Sequence, residues 1–139
     1  MRALFKWLLL SSLLVAASAQ AWGARQQGRL QETQDAYAEA IRWGDFESAV
    51  RFLEPAYVEA HPVGEFELGR YEQIQVSGYR ELNVNAEPDG TVVRNIEVRV
   101  INKHTLAERV IRYRERWNWD AQAKRWWLTG GLPDFWQGQ

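Results

Sequence analysis

The sequence predicts an α+β domain, with helices first and an antiparallel meander after them. Three observations carry this. Apolar residues recur every three or four positions up to about Ala60, and from beyond Gly64 the period drops to two. The third is the punctuation between alternating segments: Glu87-Pro88-Asp89-Gly90, Asn102 to Thr105 and Asp120 to Lys124 all read as turns. Hairpin-linked strands that follow a block of helices are the pattern of a sheet with helices on one face.

The first element is an export signal. Arg2 and Lys6 supply a positive start, Trp7 to Ala17 an apolar run, and Ala17-Ser18-Ala19 and Ala19-Gln20-Ala21 two small-x-small cleavage sites. The stretch from Trp7 to Ala21 would reach roughly 22 Å as a helix, short of a hydrocarbon core of ~30 Å. Residues 1–21 therefore read as a signal peptide, 22–28 as a short polar leader and 29–139 as the domain. The expected location is periplasmic or secreted after cleavage. The alternative is an uncleaved anchor that leaves the domain on a membrane.

Leu30, Gln34, Tyr37 and Ile41 form one stripe of a long helix, with Ala36, Ala38 and Ala40 between them as strong helix formers. Gly44 closes it as a residue free to take positive φ, and Asp45 caps a shorter helix whose stripe is Phe46, Ala49, Val50 and Leu53. Pro55 opens a further turn, Ala56 to Ala60, that Pro62 ends.

In the strand half, Ile74 and Val76 alternate with polar residues, and Gly78 predicts a bulge or bend in a long strand. Val92, Ile96, Val98 and Val100 share one face of the next strand, with Asn95, Glu97 and Arg99 opposite. Val110 to Trp119 returns, and Arg125 to Thr129 makes the last strand.

Composition bounds the partners. About 118 residues remain after cleavage, room for one domain. Without Arg2 and Lys6 the balance is 15 basic against 18 acidic residues, a mild −3 that makes no case for nucleic acid or an anionic membrane. The chain has no cysteine, so neither disulfides nor thiol chemistry enter. His61 and His104 stand alone, which argues against a metal, and no motif implies a cofactor.

The run Tyr37-Ala38-Glu39-Ala40-Ile41-Arg42-Trp43-Gly44-Asp45-Phe46-Glu47-Ser48-Ala49-Val50, with Lys124-Arg125-Trp126-Trp127-Leu128 leading into Leu132-Pro133, resembles the nuclear transport factor 2-like superfamily. That resemblance implies a cone: a strongly curved antiparallel sheet with the helices in its concave face and a pocket open at one end. Ketosteroid isomerases and scytalone dehydratases have this fold, as do noncatalytic binding and assembly domains, so the fold alone selects no activity. The Asp–Tyr pairing of the isomerases and the His–Asp arrangement of the dehydratases find no residue-by-residue match here.

Three clusters are candidates for function. Alternation turns Glu115 to the same face as Tyr113 and Trp117, where a carboxylate among rings would suit a general acid or base. Tyr57 and His61 lie four apart on the turn that the resemblance places near the pocket mouth, and His61 suits proton transfer or ligand hydrogen bonding. Tyr57, His61, Tyr113, Glu115 and Trp117 are thus the expected pocket set, and Glu115 and His61 the candidate catalysts.

Five of the eight tryptophans fall at 117, 119, 126, 127 and 136. Adjacent strand residues face opposite ways, so one of Trp126 and Trp127 points out of the core beside the Arg112, Arg114 and Arg116 row. Those five residues form the expected homodimer interface. The rival is a monomer whose outer Trp is covered by arginine stems or by the Leu132 to Gln139 tail. The reading is an exported noncatalytic binding or assembly domain with a small apolar ligand. Its alternatives are an isomerase- or dehydratase-type enzyme, and a signal-anchored accessory subunit of a membrane complex.

Overall fold

Helix α1 is helical over residues 23–42, the first of the residues 23–137 that the computed structural model describes. The signal segment lies outside the described residues. Residues 23–28 of the polar stretch read as a leader are part of this helix. Arg25, Gln26, Gln27 and Arg29 are adequate helix formers, and the Trp126 indole N–H donates to the Gln26 carbonyl at 2.9 Å, holding the turn against the sheet. Leu30, Gln34, Tyr37 and Ile41 are buried, as their spacing predicts.

At its C-terminal end Gly44 takes φ +71°, its N–H donates to Ile41 O and that of Asp45 to Ala40 O. This left-handed closure leaves Asp45 free to cap α2 (Phe46–Val50), its side chain accepting from Ser48 N at 3.0 Å. Helix α3 (Pro55–Ala60) starts on the proline, and α4 (Glu65–Tyr71) follows Gly64. Helix α4 is absent from the sequence reading. It is seven residues long, with an acidic first turn and no buried side chain, so no apolar stripe announces it.

The sheet is a four-stranded antiparallel meander in the order β1-β2-β3-β4: Ile74–Ala86, Val92–Asn102, Glu108–Asp120 and Arg125–Leu128. Register shifts fall between Val76 and Gly78, as the glycine predicts, and again between Glu81 and Asn83. The turns are built as read. Gly90 has φ +90° and donates to Glu87 O, and the Asn102 side chain accepts from His104 N and Thr105 N.

The inner face of the sheet and the helices share one core of Leu30, Tyr37, Ile41, Phe46, Leu53, Ile96, Val98, Ile111, Trp117, Trp126 and Leu128. The α2–α3 connection is tied to the outer edge of β4. Leu128 N donates to Phe52 O and Glu54 N to Leu128 O, both at 2.8 Å. Residues past β4 return to α2 and α4. Phe135 is buried against Phe46 and Tyr71, and the Tyr71 hydroxyl donates to Pro133 O at 2.9 Å. Among the described residues no helix is long and apolar enough to cross a membrane.

Candidate functional site

Glu115 faces inward with Tyr113 and Trp117, at 0% exposure. Its two oxygens accept five hydrogen bonds. Oε1 accepts from the Tyr79 hydroxyl and, at 2.7 Å, from that of Tyr113. Oε2 accepts from Arg94 Nε at 2.9 Å, Arg94 Nη2 at 2.7 Å and Trp117 Nε1 at 3.0 Å. The Tyr113 hydroxyl has one proton, given to Glu115, so Tyr37, 3.2 Å away, is the donor between those two hydroxyls.

Arg94 spends Nη1 on Glu81 at 3.3 Å and also donates through Nη2 to the Tyr79 oxygen at 2.9 Å. Burial would lower the Arg94 guanidinium, but Glu115, Tyr79 and Glu81 together outweigh it and hold the group above its ordinary value. Burial pushes Tyr79, Tyr113 and Tyr37 upward, and the Glu115 charge pushes each further. An interior carboxylate whose lone pairs are filled, opposite a guanidinium with four of its five N–H donors engaged, is a satisfied polar network.

The sequence reading missed Arg94 and Tyr79. Arg94 was legible, since it occupies the alternate position between Val92 and Ile96 and must share their face. The register opposes it directly to Glu115.

Tyr57 and His61 are brought together elsewhere. Their rings stack with centroids 4.6 Å apart, and His61 Nδ1 stands 3.3 Å from the Tyr57 carbonyl at the end of α3. They line a cleft of about 420 Å³ with Leu53, Val63, Tyr71 and Leu132. Gly131 completes it: a Cβ there would strike the Tyr57 hydroxyl, so the glycine gives that ring its place. Tyr113, Glu115 and Trp117 line no part of this cleft. The five expected pocket residues thus fall into two settings, a filled interior network and an open cleft. His104 lies exposed in its hairpin turn.

On the outer sheet face, Trp127 is the tryptophan that points outward, and Trp126, 3% exposed, packs inward on Trp119 at 5.6 Å. Arg125 lies over the Trp127 ring at 3.6 Å, and the indole N–H donates to Asp120. Arg112 pairs with Glu97 at 3.4 Å, and Arg80 reaches the same carboxylate at 3.0 Å. Burial opposes the charge on Glu97, but these two cations prevail and hold its carboxyl below the ordinary range. Arg116 forks onto Glu87 at 2.8 and 3.0 Å, while Arg114 only approaches Asn95. The tail covers the α2–α4 rings, so the cover over the outer Trp comes from Arg125.

Among the described residues no three His, Asp or Glu side chains gather as a metal site. No protein-family model matches this chain, and no curated protein or solved structure matches it either.

Proposed function

We propose that this chain is an exported, noncatalytic binding domain of the cone type, with the Tyr57–His61 cleft as the seat of a small apolar ligand. The observation that carries the reading is the saturation of Glu115. A general base needs a lone pair for the substrate's proton, and all the donors around Glu115 already point at its oxygens. The cleft offers instead a stacked aromatic pair, apolar walls from Leu53, Val63 and Leu132, and the hydroxyl of Tyr57. That is a setting for holding a ligand by shape with one or two polar contacts. The enzyme alternative now rests on His61, whose imidazole lines this cleft beside Tyr57.

The cone shape, the export and a homodimer through the outer face with Trp126, Trp127, Arg112, Arg114 and Arg116 belong to the same proposal. Trp127 on the outer face and Val110, 53% exposed beside the arginine row, support the last.

The test is titration with p-cresol, a neutral aromatic probe, followed by amide chemical shifts. The expected result is saturable shifts at Val63, Gly131 and Leu132, weakened in Gly131→Ala, where the new methyl displaces the Tyr57 ring. Shifts that avoid these residues, or that the substitution leaves unchanged, would remove the cleft as the ligand site.

A further inference from the structure

A second concavity lies where the first turns of α1 meet the β3–β4 turn. It encloses about 210 Å³ and is lined by Arg25, Gln26, Arg29, Trp119 and Lys124. Its chemistry is one-sided. Three cations converge on it and no carboxylate lines it, although the whole chain has a net charge of −1.

Arg25 and Arg29 are one helical turn apart and share a face of α1. Among the described residues neither they nor Lys124 takes part in an ion pair. Asp120, the acid nearest in the turn, is engaged by Gln122 N, Ala123 N and the Trp127 indole.

The walls are held from both sides. Trp126 Nε1 donates to Gln26 O at 2.9 Å, and Arg29 Nη1 donates to Lys124 O at 3.2 Å. Lys124 sits at φ +52°, a left-handed conformation that non-glycine residues adopt seldom and that shapes the turn from which its side chain springs. Trp119, half-buried, is backed by Trp126 at 5.6 Å and cannot retreat into the core.

We infer that this concavity binds a small organic anion with a flat apolar ring, an aryl carboxylate or sulfonate, with its ring on Trp119 and its charge between Arg25 and Lys124. A fixed indole face supplies stacking area, and cations at its rim without an ion-pair partner among the described residues supply charge-assisted hydrogen bonds to an acid group. Neither half suffices alone: a bare inorganic anion leaves the indole uncovered, and a neutral ring leaves the cations unanswered. The site is independent of the Tyr57–His61 cleft and shares no residue with it.

The experiment titrates the protein with 1-naphthoate, reading the Trp119 indole N–H resonance, with 1-naphthylmethanol and inorganic phosphate as comparisons. Arg25→Gln/Lys124→Gln removes two exposed charges and leaves Arg29, which holds the turn, in place. The expected result is saturable naphthoate binding that weakens about tenfold in the double variant and falls with added salt. Both comparison compounds should bind more weakly than naphthoate. Naphthoate binding that the double variant leaves unchanged, or equal binding of the neutral alcohol, would overturn the inference. So would phosphate binding as tightly as naphthoate, because the ring would then contribute nothing.

Discussion

Tyr37, Tyr79 and Tyr113 all keep their protons more tightly in the folded chain than in the unfolded one, burial first and the Glu115 carboxylate next among the causes common to them. Their unfolded value is the ordinary 10.0. Above that pH the unfolded chain releases protons that the folded chain retains, so stability must fall as pH rises. The contribution is fully present below pH 10 and is lost through the alkaline range, at up to ~1.4 kcal/mol per pH unit for each such group. Denaturant midpoints measured from pH 9 to 11.5 should decline, with a shallower slope in Tyr113→Phe. A midpoint flat across that range would show that these hydroxyls ionise as freely in the fold as outside it. The same residues mark how far a sequence can be read. That Glu115 and Arg94 turn inward was visible from alternation, but that five donors meet at Glu115 was not, because the registers that bring Arg94 and Tyr79 to it join residues 21 and 36 positions away.

Elements divide along similar lines. Gly44 and Asp45 were legible because helix closure and capping are written in adjacent residues, and the structure shows both. Gly44→Val should destabilise the domain by about 1–2 kcal/mol, since a β-branched residue resists φ +71° even though open space surrounds the site. Thermal unfolding checks this, and an unmoved midpoint would mean the closure relaxes without cost. Helix α4 and the first turns of α1 were not legible. Neither carries a buried stripe of its own, and each is held by a distant partner: Pro133 O for Tyr71, the Trp126 indole for Gln26. The split of Trp126 and Trp127 between faces followed from strand geometry alone, but their assignment needed the register Trp119↔Trp126.

For the whole molecule, the strand order and the α+β class were readable because every strand pair is a hairpin between neighbours in sequence. The arrangement of the expected pocket residues was not, because it depends on how the α3 turn sits against residues far along the chain. Native mass measurement of the purified protein bears on export and assembly together. The expected species is a dimer of chains cut after Ala19 or Ala21, reduced to monomer by Trp127→Ser. A monomer mass for the unaltered protein would end the dimer reading. An uncut chain that requires detergent would replace cleavage by the anchored alternative.

The union of residues 52–54 with Leu128 reaches across more than half of the described chain. Phe46 in α2 and Tyr71 in α4 likewise lean on Phe135. The early helices therefore have no finished surface to rest on while the polypeptide is still being synthesised. Hairpins can form as they emerge, yet the domain closes only when residues 128–135 arrive. A chain cut short of residue 128 would have neither support, and its early helices would lack the strand edge and the ring they rest on.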